Sequence, residues 1–342
     1  MDADRVKYRL IDSGQHGALT VSLRRELGLR KPDLHLGGER DVVSVLQAAR
    51  WALRLGKSAV SRRWLRETVF TNSGGVCVVH GDTPSTLLGA LLAKRAGLAV
   101  AHVEAGLRTF RWIHPFPEEI VRVITGRISD VLFAPSAQAA ANLRSMGVKG
   151  RIVEQSANTG LESLRHAISD TSDALHPSQP TSSGPVVVTL HRVENLHRRS
   201  RREALVDLVQ GLAAQIPVRW VLHGPTEQAL KHETRARLSA AGVEFVPLMA
   251  YSDFLACLIE APFVISDGGS IQEECARLGV PLLIWRDRSD RSDGLGHNAV
   301  LSHYDKATVA DFLSDPQRFR RAPQESDVSP STGILAELDE WR

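Results

Sequence analysis

Residues 76–128 read VCVVHGDTPSTLLGALLAKRAGLAVAHVEAGLRTFRWIHPFPEEIVRVITGRI, and this stretch decides the fold. An apolar run over 76–79 ends at His80-Gly81-Asp82-Thr83. Helical spacing follows from Ser85 to Ala96, and a second apolar run over 98–103 ends at Glu104-Ala105-Gly106. Two short apolar runs joined by a helix and closed by glycine predict strand–helix–strand, with the strands parallel. Pro115-Phe116-Pro117-Glu118-Glu119 comes next, with Arg122 one helical turn further on. In open α/β sheets ligands gather outside the carboxyl ends of the strands, which is where Asp82, Glu104 and Glu118 fall. Each has an ordinary duty available: Asp82 as an N-cap, Glu104 as partner of Arg108, Glu118 as a complement to a helix N-terminus. All three within one unit are harder to explain that way. Carboxylates gathered in an apolar site have proton affinities pushed apart, which suits acid and base work.

The same alternation runs outward in both directions. Upstream, a short strand over 8–11 ends at Asp12-Ser13-Gly14-Gln15-His16. A helix over 18–27, an extended segment over 31–36 and a helix over 42–55 follow, and the basic stretch 57–66 continues as helix. Downstream, strands are expected over 128–134, 151–154, 185–190, 218–222, 243–247, 263–266 and 281–285. Helices are expected over 136–146, 161–168, 203–214, 226–241, 252–261 and 271–278. This pattern predicts an α/β protein with two doubly wound parallel sheets. Residues 169–184 are rich in Ser, Thr and Pro and form a loop. The domain boundary is placed near Asn158, giving an N-terminal Rossmann-like domain over 1–157 and a C-terminal one, with its tail, over 158–342.

Two further motifs stand at strand ends. Asp267-Gly268-Gly269-Ser270-Ile271-Gln272-Glu273-Glu274 is a small turn that opens a helix. Its free N–H groups and the helix dipole suit a phosphate, with Ser270 as N-cap and phosphate ligand and Glu274, one turn inside, facing a ribose. An ordinary capped turn is the alternative. His191 follows the apolar strand over 185–190; a lone histidine is more often structural or a surface residue, and its position at a strand's carboxyl end raises the case for function.

Composition narrows the class. The 342 residues are 43% hydrophobic and carry a formal net charge of +3. A chain of this length supports about two domains. No run of eighteen apolar residues exists and Met1–Leu10 is not an apolar leader, so neither membrane nor export is expected. The three cysteines, Cys77, Cys257 and Cys275, are far apart and lack metal-ligand spacing, which fits a reducing cytoplasm. The arginine-dense stretch 198–202 has no interleaved aromatics, so it reads as a solvated face and no nucleic-acid partner is expected.

HGDTPSTLLGALLA, AHVEAGLRT, PFPEEIVR, TLHRVEN and DGGSIQEE, in that order, resemble the UDP-N-acetylglucosamine 2-epimerase family, from SGQH at Ser13 to DVSPSTGI at Asp327. The resemblance implies two Rossmann-like domains facing a cleft, the glycosyltransferase-B architecture, and a homodimer. It implies a UDP-sugar substrate and no metal or other cofactor. Asp82, Glu104 and Glu118 match the family's catalytic carboxylates, and His191 its TxHRxEN histidine. Gly268, Gly269, Ser270 and Glu274 fall in the UDP-holding segment. Arg286, Gln15 and His16 match further site positions, and Arg122 lies within the PFPEE helix. The implied reaction converts UDP-GlcNAc to UDP-ManNAc by eliminating UDP across C1 and C2 and adding it back. Members that hydrolyse instead release ManNAc and UDP, and a sugar-nucleotide transferase of the same architecture is a further alternative.

Three departures from the family pattern stand out. The chain starts at what resembles the family's second strand, so the first strand and helix, with the arginine of a GTRPE-like motif, lie upstream or are missing. The usual TERPE is Ser289-Asp290-Arg291-Ser292-Asp293, and the usual DSGG is Asp267-Gly268-Gly269-Ser270. Gly17-Ala18-Leu19 replaces a second glutamine that binds an activating UDP-GlcNAc in many non-hydrolysing members, leaving allosteric activation and the hydrolysing outcome open.

Overall fold

The computed structural model describes residues 6–15, 21, 24, 28–37, 61–71, 74–112, 116–170, 184–196, 198–324 and 328–341. His16, the expected helix over 42–55, most of the one over 18–27 and residues 171–183 of the expected loop lie outside these. The chain divides into two compact units, Met1–Thr159 with Val328–Arg342, and Gly160–Asp327. The boundary falls two residues beyond the one read from sequence. The tail belongs to the first unit, where the sequence reading had carried it with the second.

Unit 1 contains β1 (Ile11–Asp12), β2 (Leu34–His35), β3 (Val76–His80), α1 (Pro84–Ala96), β4 (Ala99–Val103), α2 (Glu118–Ile128), β5 (Val131–Ala134), α3 (Ala137–Ser145) and β6 (Arg151–Glu154). β3, β4, β5 and β6 form one parallel sheet in that order, and β1 and β2 form a separate parallel pair. The basic stretch is helical over Arg62–Trp64 and continues as a π-turn over Leu65–Val69. Leu65 and Val69 pack with Val79, Ala90 and Val100 against Ile11 and Leu34. On the other face, Ala101, Val103, Val131 and Phe133 pack against Ile334 and Leu338 of the returning tail.

The strand expected over 128–134 is shorter. Ile128 closes α2, and Ser129 and Asp130 form a locked turn: Ser129 Oγ donates to Thr125 O (2.7 Å), and the Asp130 carboxylate accepts from Val100 N (2.7 Å) and Lys94 Nζ (2.9 Å). Asp130 still meets both neighbouring strands through its backbone, its N donating to Val100 O (2.8 Å) and its O accepting from Arg151 N (2.8 Å), so this turn leads directly into β5.

Unit 2 runs α4 (Gly160–Asp170), β7 (Val186–Leu190), α5 (Val193–Leu196), α6 (Arg199–Ala213), β8 (Val218–Leu222), α7 (Gly224–Ala229), α8 (His232–Ala240), β9 (Val243–Pro247), α9 (Tyr251–Glu260), β10 (Val264–Ser266), α10 (Gly269–Leu278), β11 (Leu282–Ile284), β12 (Ala299–Leu301) and α11 (Lys306–Ser314). A last helix, α12 (Pro330–Asp339), lies in the tail. The single helix expected over 226–241 is two, because Leu230 is driven into the core in an extended conformation (ψ 109°). The sheet order is β12-β11-β10-β7-β8-β9, all parallel. This is a doubly wound order whose winding reverses between β7 and β10, the switch point where such sheets leave a crevice for a ligand.

Candidate active site

In unit 1 the register brings the carboxylates together. His80 pairs with Val103, so Gly81-Asp82 and Glu104 emerge side by side from β3 and β4. Gly81 N donates to Val103 O (3.0 Å), and a Cβ on Gly81 would lie 3.3 Å from Glu104 Oε2. Glu104 adopts φ 65°, a left-handed conformation that side chains rarely take. Its Oε1 accepts from Asn158 Nδ2 (2.7 Å), and its Oε2 lies 3.9 Å from His80 Nδ1. Beneath the turn, the buried His102 ring is bonded through Nε2 to Gly81 O (2.7 Å). Burial lowers the His102 pKa to about 4, so the ring is neutral and Nε2 carries the proton that Gly81 accepts.

The ordinary duties considered for these residues go elsewhere. The N-cap of α1 is Thr83, and Asp82 instead accepts from Arg122 Nε (2.8 Å) and Nη2 (2.7 Å). Arg108 pairs with Glu119 (2.6 Å) rather than with Glu104. Glu118 does lie in the first turn of α2, four residues before Arg122 and on the same helical face. Gln15 reaches the other end of the cluster, where its Oε1 accepts from Ser85 N at the start of α1 (3.0 Å).

In unit 2 the switch point holds His191 and the glycine turn. Asp267 is fully buried and accepts from His191 N (3.0 Å), Arg192 N (3.1 Å) and Asn195 Nδ2 (2.8 Å). It therefore ties the loop after β7 to the end of β10. The His191 ring is 39% exposed, with Nδ1 3.4 Å from Asp267 Oδ1. Burial of the rest of the ring lowers its pKa more than Asp267 raises it. The His223 ring lies beside it, tilted by 40° with the centroids 5.2 Å apart, and burial lowers the His223 pKa to about 4.

The N-cap of α10 is Gly268, which provides no side-chain cap, and Ser270 is the helix's second residue. The expectation that Ser270 would be the N-cap is thus corrected: the helix starts two residues earlier, because Gly269 and Ser270 already take helical geometry. The uncapped first turn keeps its N–H groups for a ligand. A Cβ on Gly268 would come within 3.2 Å of His191 Cε1, and one on Gly269 within 2.7 Å of Arg291 Nε. Glu274 accepts from Tyr251 Oη (2.9 Å), while no donor among the described residues reaches its Oε2. Burial pushes the Glu274 carboxyl up to about 7. Arg286 is buried against Asp290 (2.8 Å), and desolvation lowers its pKa.

A model described as UDP-N-acetylglucosamine 2-epimerase matches residues 1–328. The chain belongs to this family. It is 30% identical over 345 residues to the UDP-N-acetylglucosamine 2-epimerase of Bacillus subtilis, covering 97% of this chain and 88% of that one. It is 33% identical over 307 residues to the enzyme of that name from Methanocaldococcus jannaschii, covering 86% and 80%. Its fold is similar to the crystal structure of the M. jannaschii enzyme in complex with UDP-GlcNAc and UDP, with a TM-score of 0.82 at 24% identity over 99% of this chain and 93% of that one.

For a UDP-N-acetylglucosamine 2-epimerase family chain, the structure gathers Asp82, Glu104 and Arg122 in unit 1. It gathers His191, Gly268, Gly269 and Ser270 in unit 2. Sequence reasoning missed the supporting residues. Asp267 was read as part of the anion turn and proves to be an internal clamp. Glu119 was quoted but given no role, although a second Glu followed three residues later by Arg is an ion-pair spacing. Gln272, which donates to Asp293 O (2.7 Å) and accepts from Ser289 Oγ (2.6 Å), carried no signal beyond its place in the motif.

Proposed function

We propose that this chain epimerises C2 of UDP-N-acetylglucosamine to give UDP-N-acetylmannosamine, by eliminating UDP and adding it back. The observation that carries the reading is Glu104, held at φ 65° over Gly81 and beside Asp82. A strained carboxylate at a strand end needs a reason, and proton transfer at a weakly acidic sugar carbon supplies one. A carboxylate of the Asp82, Glu104 and Glu118 set takes the C2 proton while the C1–O bond to UDP breaks. The electron pair of the C2–H bond becomes the C1–C2 double bond, and the diphosphate leaves with the C–O pair. The uncapped N-terminus of α10 and His191 receive the departing charge, and preorganised donors of this kind are a large electrostatic contribution to catalysis. Gly268, Gly269 and Ser270 hold the diphosphate, and Glu274 accepts from the ribose hydroxyls. Gln15, His16 and Arg286 are further binding candidates, with His16 outside the described residues.

The test is incubation with UDP-GlcNAc in deuterated water, followed by proton NMR. UDP-ManNAc carrying deuterium at C2 is expected. Product that keeps its C2 proton rejects the elimination, and free ManNAc with UDP assigns the hydrolysing outcome.

A further inference from the structure

Glu119 is a buried carboxylate that the proposed reaction does not use. Its exposure is 0%, yet it is a charge, and taking a carboxylate out of water costs several kcal/mol unless partners replace the solvent. The partners are present. Arg108 Nε donates to Oε1 at 2.6 Å, Phe110 N to Oε1 at 3.1 Å and Thr109 N to Oε2 at 3.1 Å. Arg122 Nη1 lies 3.7 Å from Oε2, and the same guanidinium grips Asp82 through Nε and Nη2. The four side chains form an alternating row: Arg108, Glu119, Arg122, Asp82. Glu119 and Arg122 are buried, Arg108 is partly buried, and Asp82, at the end of the row, has a side chain 27% exposed. Phe110, whose N–H is one of the donors, sits at φ 59°, and Arg108 also lies over its ring at 4.8 Å. One carboxylate therefore fixes both the backbone of 109–110 and the arginine that aims Asp82.

We infer that Glu119 is a positioning residue for this site: it sets the placement of Arg122, and through it the orientation and charge environment of Asp82. This inference rests on the proposed epimerase reading, in which Asp82 takes part in the chemistry. Glu119 itself touches no reacting atom. With Glu119 neutralised, the row carries one surplus positive charge. That surplus sits against Asp82, whose neighbours at the strand ends are Glu104, His80 and His102, and it favours the ionised carboxylate. With Arg108 neutralised instead, the surplus is negative and the shift reverses.

The test uses the full chain with Glu119→Gln, Arg108→Gln and the double variant. Glu119→Gln is expected to lower kcat for UDP-GlcNAc by about a hundredfold, with KM changed less than threefold. The acid limb of its pH–rate profile moves to lower pH. Arg108→Gln moves the limb the other way, and the double variant returns it to the wild-type position. A limb that stays fixed in both single variants, with kcat falling only as the fraction of folded protein falls, overturns the inference in favour of a merely structural role. If Glu119→Gln does not fold, Arg108→Gln alone decides by the same criterion. Asp82 is followed separately by carbon-13 NMR of its carboxyl group, assigned with Asp82→Asn. A changed titration midpoint in Glu119→Gln, or in Arg108→Gln where the first does not fold, supports positioning even if the wild-type chain leaves UDP-GlcNAc unchanged. Absence of wild-type turnover refutes the epimerase reading alone, and an unmoved midpoint refutes the inference alone.

Discussion

Glu104 and Glu274 both hold conformations or environments that a free carboxylate avoids. A side chain in the left-handed region costs about 1–2 kcal/mol, and glycine escapes that cost. Glu104→Gly is therefore expected to be more stable than Glu104→Ala by about 1 kcal/mol, although both lack the carboxylate and neither epimerises. Urea denaturation of the pair checks this, and an alanine variant as stable as the glycine one removes the argument for strain. Glu274 gives a pH signature. Its carboxyl is raised from 4.5 to about 7 by burial, so between those values the folded chain keeps a proton that the unfolded chain has released. Stability is then greatest below pH 4.5 and declines as pH rises through 7. Glu274→Gln removes the penalty, and is expected to stabilise the ligand-free protein at pH 8 by on the order of 2–3 kcal/mol relative to its effect at pH 4.5, while weakening UDP binding. Thermal unfolding at the two pH values tests it, and an equal gain at both refutes it. At this scale Asp82, Glu104 and Glu118 were legible as residues at strand and helix ends, and their roles belong to the proposed reaction. Glu119 was not, since burial is what separates it from its neighbour and adjacent residues read alike in sequence.

At the scale of elements, β3 and β7 look alike in sequence and differ in place. VCVVH and VVVTL are both apolar runs, yet every residue of β7 is buried while Val78 of β3 is 37% exposed. The reason is position: β7 lies inside its sheet, whereas among the described residues β3 is paired with β4 alone. An apolar run reports that a strand wants cover, and which neighbours provide it depends on residues far away in the chain. An open apolar edge is a template for unwanted pairing. Val78→Lys is thus expected to change stability by no more than about 1 kcal/mol while slowing heat-induced aggregation. Light scattering at matched unfolded fraction measures this, and an unchanged aggregation rate counts against the edge. The Glu104 turn depends on an element contact in a second way. Gly106 has φ 89°, and a Cβ there would lie 2.3 Å from Ala139 O in α3. Gly106→Ala forces α3 away, with an expected loss of more than 2 kcal/mol in urea denaturation and of turnover. Near-wild-type stability and activity would show that α3 yields easily.

Across the whole chain, two parallel α/β units were legible because the strand–helix alternation continues through both halves. The return of the tail was not: no helix was expected over 330–339, and nothing in that stretch marks which sheet it covers. In the fold, Ile334 and Leu338 pack against Ala101, Val103, Val131 and Phe133, and Arg151 pairs with Glu337 (2.9 Å) and Glu340 (2.7 Å). Burying each large aliphatic side chain contributes about 1.5–3 kcal/mol, so α12 is a part of unit 1 that arrives after unit 2 has been made. Deleting residues 328–342 is expected to uncover one face of β4 and β5 while leaving β7 and β10 intact. Because Val103 directly precedes Glu104, epimerisation should be lost, while UDP binding, assigned to unit 2, persists. Hydrogen exchange resolves the two units separately: amides of β4 and β5 lose protection, and those of β7 and β10 keep it. Ile334→Ala gives a graded form, with an expected cost of about 2–4 kcal/mol confined to the same amides. Equal loss of protection in both units, or none in either, would place the tail's contribution somewhere other than the sheet that carries the carboxylates.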